Sequence, residues 1–130
     1  MANIIPNSFR GALFEANHNF KASGGNTFKL SLYTGAIAAV YTVSSTVFDN
    51  TNEVSSGSGS NYVVKTLTRL GVASGTTTAS VDFDNVSYTS ASFTATYAAI
   101  YNTDTVDGTA NRLVVVLDFG GDKTATNGTF

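Results

Sequence analysis

The chain reads as a mainly β protein: an antiparallel β-sandwich, jelly-roll or immunoglobulin-like, with one short N-terminal helix. Three observations predict this. From Phe28 onward, segments that alternate polar and apolar residues recur at short spacing, which is the period of half-buried strands. Glycine and asparagine punctuate them where tight turns are needed. A helical period occurs once, near the start, so helices do not supply the layers of the fold. At 130 residues the whole chain, 1–130, is one domain's worth, and folding buries about two-thirds of the unfolded surface.

The N-terminal arm and helix occupy about residues 1–20. Phe9, Ala12, Leu13, Ala16 and Phe20 share one helical face, with Asn7 or Ser8 after Pro6 as candidate caps. Ser23-Gly24-Gly25-Asn26 ends that pattern. Phe28, Leu30 and Leu32 then alternate with Lys29, Ser31 and Tyr33 as a half-buried strand. AIAAVYTV at 36–43 reads equally as a strand or a helical turn, and SSGSGS at 55–60 is a flexible surface connection. Residues 62–70 are strand-like, Ser74-Gly75 reads as a turn, and 76–83 alternates again, which makes a hairpin. Residues 92–100 and 113–119 are two further strands, the second an apolar run (LVVVL) of the kind covered on both faces. Asp107-Gly108 supplies turn chemistry between them, and Gly120-Gly121-Asp122-Lys123 reads as a turn into another strand.

Charge excludes several function classes. A net charge of −2 with seven scattered Lys and Arg offers no basic stripe for releasing counterions from a nucleic acid. Cysteine is absent, which removes disulfides and thiolate metal sites. No apolar run approaches the length that spans a membrane. Only 12% of residues are charged, about half the usual share, while Ser and Thr make up about a quarter. So little charge suits a neutral polar surface or faces covered by neighbours in an assembly.

Catalytic chemistry has few carriers. His18 is the one histidine, so any Ser-His-Asp arrangement has to use it; near the expected helix C-terminus it reads as a capping or surface residue. Asp82 and Asp84 point to one strand face, where a calcium ligand pair or a glycosidase acid and base would sit. The simpler reading puts Phe83 inward and both acids in water. Asp104, Asp107, Asp118 and Asp122 join a cation site only if loops converge. These residues point to no cofactor, no metal and no catalytic group.

Two features suit assembly. The arm before the helix carries Asn3, Ile4 and Ile5 ahead of Pro6, and apolar residues there need burial against their own domain or a neighbour. With Phe9 they are interface candidates. Strand edges poor in lysine are the second feature. Tyr88, Tyr97 and Tyr101 complete the interface candidates; aromatics at alternating strand positions are most simply core or cross-strand pairs, and exposed, coplanar tyrosines would instead favour sugar stacking.

In order, FKLSLYTG at 28–35, TNEVSSGSGSNY at 51–62, VDFDNVSYTSASFTATYAAIY at 81–101 and RLVVVLDFGGDKTATNGTF at 112–130 resemble a family of small structural proteins of tailed-bacteriophage virions. The resemblance runs from about Asn7 to Phe130, and LDFGGDKTATNGTF is its most specific part. It implies a non-enzymatic virion protein made in the host cytoplasm, foremost a capsid decoration or cement protein that binds the head shell. Its partners would be the major capsid protein or other virion proteins, and its own copies in a homo-oligomer such as a trimer, with no nucleic acid and no membrane. The alternatives are a tail, connector or fibre-associated component, and, from another class, a carbohydrate-binding β-sandwich. In that family a further strand would follow Phe130.

Overall fold

The protein's structure, a computed structural model, describes residues 2–130. In chain order its elements are α1 (Asn7–Phe14), β1 (Phe28–Tyr33), a 3-10 turn (Ile37–Ala39), β2 (Lys65–Thr66), β3 (Arg69–Ser74), β4 (Ala79–Phe83), β5 (Ala91–Asn102) and β6 (Arg112–Gly128). They build an antiparallel four-stranded sheet in the order β2-β1-β5-β6 and a separate two-stranded sheet, β3-β4. The protein is therefore mainly β with one short helix, as expected, and both sheets are open.

The spine is the pairing of β5 with β6, and a shift of register explains how its side chains are shared between faces. Ala91, Phe93 and Ala95 are buried while Ser92 is exposed, the alternation of a strand covered on one side. The register slips between Ala95 and Tyr97. Beyond the slip the parity changes: Ala98 joins Phe93 and Ala95 in a cluster with Leu32, Tyr62 and Tyr88, whereas Tyr97 and Ala99 turn to the opposite face with Tyr33, Tyr41 and Leu113. Here four residues of β6, 119–122, stand opposite Thr96 alone, and that odd offset of three is enough to exchange the faces, because side chains alternate with period two. From Tyr97 to Asn102 every residue is buried, since irregular chain covers both faces there.

β1 shares that environment. Phe28 and Leu32 look to one face as the alternation predicts, yet Ser31 and Tyr33, expected outward, are also buried. The segment after the 3-10 turn folds back over them: the Tyr33 and Tyr41 hydroxyls lie 2.9 Å apart, and the Asp49 N–H donates to Tyr41 Oη at 2.9 Å. The ambiguous 36–43 stretch is thus a short 3-10 turn within a covering loop. A third cluster, Phe20, Phe28, Leu67, Ile100 and Val114, lies at the other end of the sheet.

Four expectations are corrected. The helix stops at Phe14 rather than near residue 20, and neither Asn7 nor Ser8 caps it; Pro6 holds the N-cap position and Ser8 Oγ donates to the Ser45 carbonyl. Ala16 (φ 56°) turns the chain out of the helix, with Asn17 N–H bonding the Ala12 carbonyl and Ala16 N–H that of Leu13. This is the Schellman closure, here built on alanine instead of glycine. The 62–70 stretch is not one strand: Lys65–Thr66 pairs with β1, the chain breaks at Leu67 and Thr68, and β3 begins at Arg69. Gly120-Gly121-Asp122-Lys123 does not turn the chain either. Asp118 faces Tyr97 and Lys123 faces Ala95, so the intervening residues bulge out of a strand that keeps the same neighbour, helped by positive φ at Gly120 (73°) and Gly121 (133°). Where the sequence predicts a turn at Asp107-Gly108 the structure has one, both residues taking positive φ between reciprocally bonded Val106 and Thr109. Phe130 exchanges backbone hydrogen bonds with Tyr88 and packs its ring on Phe93 at 4.8 Å.

Candidate assembly surface

The N-terminal arm is the first candidate, and it is bound to its own domain. Ile4 and Val116 exchange both backbone hydrogen bonds at 2.8 Å in an antiparallel bridge. Asn3 Oδ1 accepts from the Asp118 N–H at 2.8 Å. The arm thereby covers the outer edge of β6, and Ile4 packs against the Tyr33 cluster. Period two then sends Ile5 to solvent. Phe9 is half-buried, its ring 5.0 Å from His18 and 6.1 Å from Phe20. Of these four candidates, Asn3 and Ile5 are exposed.

The three tyrosines are corrected outright, because Tyr88, Tyr97 and Tyr101 are all buried. Tyr88 packs among Tyr62 and Phe93, with the Lys65 ammonium 5.0 Å from its ring centre. Tyr97 stacks on Tyr33 at 4.9 Å, and loss of water followed by the proximity of Tyr41 and Asp49 pushes its hydroxyl up to about 12. Tyr101 stacks on Phe48 at 4.3 Å. The segments folded over β5 make Tyr97 and Tyr101 core, and Tyr88, ahead of the strand, joins the cluster of Tyr62 and Phe93.

His18, expected at the surface or as a helix cap, is also buried, at 8% exposure. Asn102 fixes its chemistry. The Asp104 N–H donates to Asn102 Oδ1 at 3.0 Å, and Asn102 Nδ2 donates to Asn26 Oδ1 at 3.1 Å, so the amide presents its NH₂ to His18 Nδ1 at 3.0 Å. Nδ1 accepts, which leaves the ring proton on Nε2, an atom with no hydrogen-bond partner among the described residues. Burial, then the charge of Arg112, holds the ring below its ordinary pKa. Asn26 Nδ2 continues the network to Asp104 Oδ2 at 2.9 Å, and Arg69 donates to the Asn26 and Lys21 carbonyls. These groups tie the loop after α1 to the end of β5. Among the described residues the hydrogen bond shown for His18 is to Asn102 and not to a serine hydroxyl.

The acids do not converge. Asp82 and Asp84 are exposed as the simpler reading had it, Asp107 pairs with Arg112 at 3.3 Å, and Asp122 accepts from Thr96 at 2.8 Å. Among the described residues no three carboxylate or histidine side chains are placed to hold a metal ion. A groove of about 570 Å³ beside β5, lined by Thr34, Val54, Ser55, Ser60, Phe93 and Thr94 among others, has no charged side chain.

The most exposed regular structure is one that the sequence reading left out of its interface candidates. Hairpin β3–β4 stands away from the main sheet, anchored where Phe83 meets Phe20 and Phe28 at 6.3 and 5.6 Å. Beyond that root nearly every residue is exposed, including Leu70, Val72 (56%) and Val81 (42%). Val72 and Val81 are directly opposite in the register, hence side by side on one face. The signal was legible in GVASGTTTASVDF, where valines flank the turn with only Ala, Ser, Thr and Gly75 between them. Such strands carry too little apolar bulk for a core of their own. A second apolar group surrounds α1, where Phe14 is 93% exposed.

Compared with known proteins, the chain matches no family model, no curated protein and no solved structure.

Proposed function

We propose that this protein is a non-enzymatic structural subunit of a bacteriophage virion, a capsid decoration or cement protein that binds the assembled head shell and reinforces it. The observation that carries the reading is the β3–β4 hairpin: a projecting strand pair with exposed valines and a bare edge is a liability for a solitary domain and suits a subunit covered on assembly. The order of motifs from 28 to 130 supplies the virion context, and the low charge agrees with it. In this reading the fold is an open variant of a β-sandwich, with the Phe83 end of the hairpin laid over the Phe28 end of the main sheet. Cement proteins act by binding the assembled state preferentially, so each bound copy adds to the stability of the lattice. The partner is the major capsid protein, and the apolar residues around the hairpin and α1 are the contact surface.

The test is to count copies per particle and to compare shell melting with and without the protein. Lattice-like numbers and a raised melting temperature are expected. A few copies confined to a vertex or tail would overturn the cement reading in favour of a tail or connector component. With Tyr88, Tyr97 and Tyr101 buried, a sugar-binding role loses the platform it was argued from.

A further inference from the structure

The backbone of the hairpin decides which of its edges is free. Gly75 N–H donates to the Thr78 carbonyl at 2.7 Å, and Asp84 N–H to that of Thr68 at 2.9 Å. Antiparallel bonding alternates along a strand, so the even-numbered residues of β4 bond inward to β3, while Ala79, Val81 and Phe83 turn their N–H and C=O groups outward. Among the described residues no strand pairs with them, because β3–β4 is a two-stranded sheet. The opposite edge, on β3, is obstructed: Arg69 is bonded to the Lys21 carbonyl at 2.7 Å, and a Cβ added at Gly71 would lie 3.6 Å from that of Ala22. β4 also has little of the usual edge protection, its one charged residue being Asp82. It contains no lysine, arginine or proline, and the one register irregularity of the hairpin falls on the β3 side, at Leu70.

We propose that two copies of this chain associate through β4, each adding its free edge to the other's hairpin in an antiparallel pair centred on Val81. The occupant follows from the sequence of the edge. A twofold axis at Val81 sets Val81 against Val81 of the second copy, Ala79 against Phe83 and Ser80 against Asp82, so all three outward-facing residues of each strand find partners. No like charges face each other in this register. Moving it two residues toward the root sets Asp82 against Asp82, and moving it toward the tip pairs Phe83 with the turn. The same register makes one face continuous, with Val72, Val81, Val81 and Val72 in a single row across a four-stranded sheet. An exposed valine pair on each hairpin thus becomes the middle of a shared apolar stripe. The proposal goes beyond the virion reading and stands without it, since it concerns the isolated chain.

The absence of cysteine permits a direct test on purified full-length protein. In a hydrogen-bonded antiparallel pair the Cα atoms are about 5.5 Å apart, within disulfide range. Val81→Cys is therefore expected to form a reducible dimer on mild oxidation. Thr77→Cys, at the turn, is not expected to, because two such residues would sit roughly 25 Å apart. Analytical ultracentrifugation of the unchanged protein should show a concentration-dependent species at twice 13.5 kDa. Val81→Lys, which places two ammonium groups opposite each other on an already exposed site, should abolish that species and leave the circular dichroism melting curve in place. Val81→Pro removes an outward N–H without touching a β3–β4 bond and should do the same. A protein that stays monomeric at its highest soluble concentration overturns the proposal. So does a dimer that survives Val81→Lys, or Val81→Cys linking no faster than Thr77→Cys. Loss of particle binding with dimerisation intact would instead count against the virion reading alone.

Discussion

The β5–β6 ribbon and the β3–β4 hairpin are both antiparallel pairs rich in Ala, Ser and Thr, and they have opposite fates. In β5 the small residues alternate with Phe93, Tyr97 and Tyr101, and covering loops bury the C-terminal half on both faces. In the hairpin only Phe83 reaches a cluster, and the valines beyond it meet solvent. The difference lies less in strand propensity than in aromatic bulk. A ring at every fourth position gives distant segments such as 41–54 and 60–67 something to fold over, and two valines on a ribbon do not. Burial then stabilises the ribbon and leaves the hairpin as a surface for something else.

The largest break in this contrast should come from its buried side. Leu113→Ala, at a residue with no solvent exposure, is expected to cost about 2–5 kcal/mol, against less than about 0.5 kcal/mol for Val81→Ala. Urea denaturation of both variants measures this. Similar costs would mean that the hairpin is part of the core.

Acid should loosen the far end of the ribbon next. His18 is neutral when folded and its pKa is lowered from 6.5, so the unfolded chain binds the proton more readily. The stabilising contribution of the neutral ring is present above pH 6.5 and is lost as pH falls below it, by at most about 1.4 kcal/mol per pH unit. Protonation also makes Nδ1 a donor facing the Asn102 NH₂, whose orientation Asp104 and Asn26 hold. Thermal melts from pH 7 to pH 5 should show this slope, and His18→Gln should flatten it. A slope unchanged by the substitution would place the acid sensitivity elsewhere.

The smallest effect is a gain. Ala16 closes α1 with φ at 56°, a conformation that costs an L-residue roughly 1 kcal/mol relative to glycine. Ala16→Gly should raise stability by about 0.5–1 kcal/mol. The hairpin, which meets the segment after this turn at its root through Arg69 and Gly71, should keep the same amide exchange rates at its tip, which hydrogen exchange by NMR would check.

Much of the fold was legible locally. The strand at 28–33, the strands within 91–102 and 112–128, the hairpin around Gly75 and the turn at Asp107-Gly108 all follow from residue periodicity and from the dihedral freedom of turn residues, which neighbours in sequence largely decide. The assembly candidates were harder to read. For Ile4 the sequence left its own domain and a neighbour equally open, because its partner, Val116, is remote in sequence. Tyr97 and Tyr101 looked available because nothing in their own strand announces that 33–48 folds over them. His18 looked like a helix cap until Asn102, brought to it by the tertiary fold, made it an acceptor in the interior. The sequence by itself determined most of the strands and the turn at Asp107-Gly108, but not the break at Leu67 and Thr68 or the bulge at Gly120-Gly121. Only the tertiary structure decided which strand faces are covered, because a three-residue register shift at 95–97 exchanges the two faces and because burial is a property of segments that meet only after the chain has folded.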